Sequence, residues 1–478
     1  MATKCNAQST KSQKTKFSGT MEIINPHCAG LDLHKDTIWV CTGPFLDGVT
    51  PEVVTFPTHT EGLHQLVKHL KERQVTTVAM ESTGVYWLAP YLALLDAGLA
   101  PCLFNPSALK SINGRPKSDR ADSMWICRLH SYGLLRASFI APPNILNLRN
   151  LCNTREKLIV EAGSAIQRMN NELVKMNIRL DRVLTDIGGA SGMRVMEAII
   201  EGKRSPEALH DKLVPQVKKR GRKNIIPLLT GRYDEICVFN LKTWHSVHKS
   251  IQQNIEQVNE KIYQLLQSLP KKASASNLPP EKKNYREDYL NFPHPLRPVF
   301  FEIFGRDLTQ LPGVGADLLL SLVSTVGTDL SAWPDSQHFS SWLGLSPVNR
   351  VSAKFRKSGK SKCTGNPLAN AFKMAAMAAA RTQTYLGENA RRLRKRITPK
   401  KAKVAIARKL AEIVFNIIRH DMPVYVKTVE EYEMRRQKRE IQHFVKGLSK
   451  FSVNGEFIPE VLEEIKRQNA RFTTTVAI

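Results

Sequence analysis

Between His27 and Arg136 the apolar residues fall into an order of elements that few folds accommodate. Ala29, Leu31 and Leu33 alternate with Gly30 and Asp32, the period of a strand, which sets Asp32 on the face opposite the packed residues. His34, Lys35 and Asp36 make a turn, and Thr37–Cys41 returns as a second strand of β-branched and aromatic residues. Val53–Phe56 reads as a third strand. Thr60–Arg73 reads as an amphipathic helix with Leu63, Leu66, Val67 and Leu70 on one face. Val75–Met80 is a buried strand ending at Glu81. Val85–Ala97 is a helix opened by Ser82-Thr83-Gly84, and Ala100–Phe104 is a strand stopped by Asn105-Pro106. A basic loop, Lys110–Lys117, leads into a helix from Ser118 to His130 with Ser118 as its N-cap. Three strands in a meander followed by helix, strand, helix, strand, helix predict an α/β domain: a mixed five-stranded sheet with helices on its faces.

On that layout Asp32 lies on the first strand and Glu81 ends the fourth, the strand expected beside the first. Asp119 and Asp122 are three apart on the last helix and share one face. A lone acid in a strand is usually a tolerated surface charge, and Lys117 and Arg120 offer simple ion pairing to the helix acids. Four carboxylates converging on one sheet need a compensating cation, however, and a hard divalent ion such as Mg2+ takes oxygen ligands and keeps several waters. Ions so held suit the attacking and leaving oxygens of a phosphodiester.

The formal net charge of +27 over 478 residues points the same way, because such an excess favours polyanionic partners, nucleic acid before a membrane surface. No apolar run reaches the length of a membrane span, and the N-terminal lysines are followed by no apolar signal core. The eight cysteines show no zinc spacing, so reduced thiols and a cytoplasmic setting are expected.

Around this domain, residues 1–23 read as a disordered basic arm and 24–140 as the acid-bearing domain. Residues 141–270 read as a helical, coiled-coil region, its two helical candidates Pro142–Leu180 and His245–Leu269 forming an antiparallel arm, an oligomer contact, or helices lying on the first domain. Between them lies a basic insertion with the run Lys218-Lys219-Arg220-Gly221-Arg222-Lys223. Residues 271–298 read as a linker, 299–427 as a mainly α C-terminal domain, and 428–478 as a charged tail. In the C-terminal domain, Pro312-Gly313-Val314-Gly315 resembles the turn of a helix-hairpin-helix, whose glycines Gly313 and Gly315 let backbone approach a phosphate; a tight interhelical turn explains the same residues. Val348–Gly365 reads as a loop carrying Ser352, Lys354, Arg356, Ser358 and Lys360. The following helix, Asn366–Thr382, is rich in Ala and Met and fit for close packing.

GLDLHKDT, AMESTGVYW and NPSALKSINGRPKSDRADSMWICRL resemble the three motif blocks of the DEDD transposases of the insertion-sequence-110 type. The resemblance implies an RNase H-like catalytic domain, with Asp32, Glu81, Asp119 and Asp122 as the catalytic and metal-binding acids; Lys117-Ser118-Asp119 stands where the family has Lys-Thr-Asp. The block from Phe339 to Gly387 resembles the family's C-terminal transposase domain, in which a serine after a Pro-x-Asn-x-(Ile/Val) stretch is the nucleophile. Pro347-Val348-Asn349-Arg350-Val351-Ser352 matches, although Ser352-Ala353-Lys354 replaces the family's Ser-Gly-Gly-Lys and a Ser-Gly-Lys occurs at Ser358; Ser352 is the first choice and Ser358 the second.

What the family implies is a recombinase guided by a bridge RNA, acting on donor and target DNA as a homodimer or homotetramer through a covalent 5′-phosphoserine. Lys117, Arg120, Lys354, Arg356 and Lys360 are then candidates for phosphate contact, with Gly313 and Gly315. Two other functions fit the same residues: a metal-only nuclease or Holliday-junction resolvase using water, and a non-catalytic nucleic-acid-binding protein indifferent to loss of Asp32.

Overall fold

The computed structural model describes residues 22–43, 51–82, 84–105, 118–282, 285–287, 290–352, 355–361, 365–425 and 429–448. The chain forms two compact units, Met1–Ile140 and Ala141–Ile478.

The first unit is built on one sheet. Its strands are β1 (Cys28–Leu33), β2 (Thr37–Thr42), β3 (Val53–Pro57), β4 (Thr77–Glu81) and β5 (Ala100–Phe104), in the order β3-β2-β1-β4-β5. The meander pairs antiparallel, and β4 and β5 join parallel to β1 and to each other. This is the mixed five-stranded sheet expected, with the first and fourth strands adjacent. Helices α1 (Thr60–Glu72) and α2 (Leu88–Asp96) cover one face, where Leu63, Leu66, Leu70 and Leu94 close over Leu31, Val78 and Met80. Helix α3 (Asp119–Ser131) covers the other, over Ala79 and Phe104 and a set of buried thiols, Cys28, Cys41 and Cys127. Among the described residues the cysteines are free. Helix α2 starts three residues later than its sequence predicts, because Gly84 takes a left-handed φ of 53° and Val85 to Trp87 remain in a turn.

The second unit opens with α4 (Pro143–Lys175) and returns along α10 (Glu235–Gln267), each 33 residues and about 50 Å long. Arg155 Nε meets Asn259 Oδ1 at 2.6 Å, and Arg168 lies over the Trp244 ring, so moving forward on α4 moves backward on α10 and the two run antiparallel. Burial recurs every seven residues, at Arg155, Ala162 and Met169 on α4 and at Leu241, His248, Ile255 and Ile262 on α10. Helix α10 begins ten residues before the predicted His245, because Asp234 caps it by accepting from the Ile236 and Cys237 amides.

The segment between them is more than a basic insertion. Five short helices, α5 (Leu180–Val183), α6 (Ala190–Ile200), α7 (Pro206–Asp211), α8 (Pro215–Lys218) and α9 (Arg222–Leu229), share a core of Leu180, Val195, Ile199, Leu209 and Leu229.

After α10 the residues expected to be a linker are tied to the helices beyond them. Arg297 reaches back to the Pro279 carbonyl, and Lys282 Nζ donates to the Leu311 and Val314 carbonyls. Helices α11 (Leu296–Phe304), α12 (Ala316–Val326) and α13 (Ser336–Trp342) precede a hairpin, β6 (Pro347–Ser352) and β7 (Phe355–Ser361), and α14 (Pro367–Ala379), α15 (Tyr385–Arg396), α16 (Pro399–His420) and α17 (Val429–Leu448) complete the unit. The hairpin corrects the predicted loop: its basic side chains disguise strand alternation. Among the described residues no helix is long and apolar enough to cross a membrane.

Candidate active site

Asp32 and Asp119 come together because a strand residue lacks a side chain. Gly30 shares Asp32's face of β1, two residues before it. A Cβ built at Gly30 would collide with the Cys127 backbone nitrogen and lie 2.7 Å from the Ser123 carbonyl oxygen, both on α3. Helix α3 therefore lies directly on β1. At the helix's far end the His130 imidazole meets Thr77 Oγ1 at 3.0 Å, and the Ser131 carbonyl accepts from the Ile24 and Asn25 amides. At its start Ser118 is the N-cap, accepting from the Ala121 amide at 3.3 Å as its sequence position predicts. The first turn of α3, with Asp119 and Asp122, is thereby delivered to the carboxyl end of β1.

There His34 Nε2 lies 3.2 Å from Asp32 Oδ2 and 3.4 Å from Asp119 Oδ1. One ligand atom from each of Asp32, His34 and Asp119 falls within 4.8 Å of the others. Asp32 keeps 17% of its side chain exposed, while His34 and Asp119 are open to solvent. Burial pushes the Asp32 carboxyl above the ordinary carboxylate range; His34 opposes the shift, and the charges of Asp122 and Asp119 add to it. An acid so placed is costly to ionise without a cation, and the donor set fits a divalent one.

Glu81 is half-buried on the adjacent strand. Leu31 pairs with Met80, so Asp32 and Glu81 stand one step further on, at the carboxyl ends of parallel neighbours. Its carboxylate is outside the Asp32–His34–Asp119 group. Arg120 is exposed on the first turn of α3, and Lys117 lies outside the described residues.

The remaining candidates belong to the second unit. Ser352 ends β6 opposite Phe355, and Ser358 sits opposite Asn349. Arg356 and Lys360 are on β7, while Lys354 falls outside the described residues. Gly313 has a left-handed φ of 79°, and its missing Cβ leaves room for α14: a Cβ there would press on the Ala375 carbonyl and the Ala379 amide, 2.7 Å away for the latter. The backbone it admits is thus that of the Ala-rich helix. Gly315 is the N-cap of α12. The element before this turn is a 3-10 turn at Leu308–Gln310, not the helix a helix-hairpin-helix requires.

Gly30 and His34 were the residues sequence reasoning passed over. Each is two positions from Asp32: Gly30 on the same face of β1, and His34 just past the strand's end.

Residues 29–178 match the DEDD family model of IS110, described as Transposase, and residues 305–391 match that described as Transposase IS116/IS110/IS902 family. Among solved structures, Thermus thermophilus RuvC in complex with Holliday junction substrate is 16% identical, with 23% of this chain and 98% of that chain covered and a TM-score of 0.19. A second Thermus thermophilus RuvC structure gives 16% identity, 23% and 99% coverage and a TM-score of 0.19. No curated protein matches the chain.

Proposed function

Because the chain belongs to the DEDD transposases of the IS110 type and is a DNA transposase or recombinase, we propose that it exchanges DNA strands through a covalent phosphoserine, with Mg2+ at the Asp32 site and a bridge RNA choosing the target. The sheet order β3-β2-β1-β4-β5, with β2 antiparallel, supports an RNase H-like catalytic domain, and the seven-residue repeat of burial on α4 and α10 supports a coiled-coil arm. The observation that carries the catalytic reading is the convergence of Asp32, His34 and Asp119 at one strand end, with Asp122 close enough to raise Asp32 further.

Asp32 and Asp119 would hold the cation, with Asp122 and Glu81 beside them. A bound divalent ion supplies charge stabilisation to the phosphate and to the departing oxygen. The serine hydroxyl, Ser352 before Ser358, attacks phosphorus. The P–O3′ bond breaks, the 3′ oxygen leaves with a proton, and the 5′ phosphate stays esterified to serine. Attack by a second strand's 3′ hydroxyl reverses the step, returns the proton to serine and needs no ATP. Ser352 is preferred because it ends its strand, whereas Ser358 lies inside one. Lys354, Arg356 and Lys360 would balance charge on the reacting phosphate, and Lys117 and Arg120 would contact flanking phosphates, with Gly315 a further candidate. The acids and the serine belong to different units, and a homodimer or homotetramer that assembles the composite site is part of the proposal. The net charge of +27 suits a protein holding DNA and RNA together.

The test is to trap DNA joined to protein. The native chain and Ser358→Ala form the adduct, and Ser352→Ala does not. An adduct that survives both substitutions overturns the serine assignment. Cleavage that survives both, without any adduct, but is lost in Asp32→Asn establishes the metal-only nuclease instead. The RNA is tested by co-purification of a transcript from the DNA flanking the gene.

A further inference from the structure

We infer that His34 is a nitrogen ligand of the cation held by Asp32 and Asp119, and that it tilts the site toward manganese(II) and similar transition ions relative to magnesium. The inference rests on the metal-dependent reading of this site and completes its donor set. Asp32 is on β1 and His34 just beyond it, and their side chains meet at 3.2 Å. Asp119 arrives from the first turn of α3. The Nε2–oxygen separations of 3.2 and 3.4 Å are close to the edge of an octahedron with bonds of about 2.1 Å, which is about 3.0 Å. With the Asp32 and Asp119 oxygens within 4.8 Å of each other, the three donors can close on one ion as adjacent ligands.

The position of His34 is set by backbone. Its amide donates to the Thr37 carbonyl at 3.0 Å, closing the β1–β2 turn, and the Thr58 amide and hydroxyl bond the Asp36 and Lys35 carbonyls of the same turn. The imidazole, 44% exposed, leaves an open side to the group for water or a phosphate oxygen. Magnesium gains little from a nitrogen in place of water, whereas manganese and the later divalent ions accept imidazole readily. A site of carboxylates alone would not make that distinction. The competing role for His34 is a protonated counter-ion for the two carboxylates, displaced when a metal enters.

Manganese(II) added to the full-length protein is the probe. Electron spin-echo modulation of the bound ion is recorded on protein with 14N-histidine and with 15N-histidine. A histidine nitrogen coupling is expected that changes with the isotope and disappears in His34→Asn. That variant binds manganese at least about tenfold more weakly, while magnesium, measured by competition, weakens by a smaller factor. Manganese binding that needs Asp32 yet shows no histidine coupling overturns the ligand role, as does equal weakening of both metals. Manganese binding indifferent to Asp32→Asn would instead remove the site itself.

Discussion

Two aspartates taken out of water show how differently this chain treats charge. Asp307, in the second unit, keeps 2% of its side chain exposed. Burial works to raise its carboxyl, but hydrogen bonds from Arg297, Thr309 and Gln310 together outweigh it, and the group lies below the ordinary range. Arg297 Nη2 is 2.7 Å from it, and the guanidinium also bonds Thr309 Oγ1 and the Pro279 carbonyl. Asp32 is less deeply buried, yet its neighbours are mainly acids, and its carboxyl lies above the ordinary range. One site is complete within the chain. The other has its charge balance left open, which is where the proposed cation would enter. The difference separates a structural acid from the acid proposed for catalysis more clearly than burial does.

Substitution can break that contrast. The largest effect is expected from Asp307→Ala, which leaves Arg297 buried without its partner and should cost about 3–5 kcal/mol in chemical denaturation; the double variant Arg297→Met, Asp307→Leu should recover much of the loss. Gly30→Ala comes next. Pushing α3 off β1 should cost about 1–3 kcal/mol, and because it moves Asp119 and Asp122 away from Asp32, DNA cleavage should fall by about a hundredfold or more. A variant that cleaves normally would show that α3 need not touch the strand.

Asp32→Asn is the smallest in stability and the sharpest in sign. A carboxyl raised in the folded state favours folding below its unfolded value and loses that contribution as pH rises through the folded one. In chelator at neutral pH the variant should therefore melt above the native chain, with the gap closing in acid, while cleavage is abolished. Adding a divalent ion should raise the melting temperature of the native protein alone. Asp307 runs the other way: its contribution is present above the ordinary aspartate range and is lost as pH falls through its depressed value.

The first unit was legible because its signals are local. Alternation in Cys28–Leu33, the Leu63, Leu66 and Leu70 stripe, and the stop at Asn105-Pro106 each specify an element, and right-order strands leave few sheets. The acids were legible as residues on those elements. His34 and Gly30 were not, because their roles exist only once α3 lies on β1. In the second unit the β6–β7 hairpin was hidden by Arg350, Arg356 and Lys357, which read as a solvated loop. The core beneath α5 to α9 was hidden because its helices are too short to show a period.

The long antiparallel pair carries a further lesson. Its outward and homeward helices are the same length, so the chain comes back to the level from which it set out. Near that level Arg155, Asn259 and the Leu290 and Asn291 carbonyls form a buried polar clasp that holds the two helices in register. Removing whole heptads from both limbs, or exchanging the helical cap at the distant end, should leave unchanged where the polypeptide re-enters. Reach is thus a dimension that evolution or an engineer can adjust separately from everything anchored at the clasp.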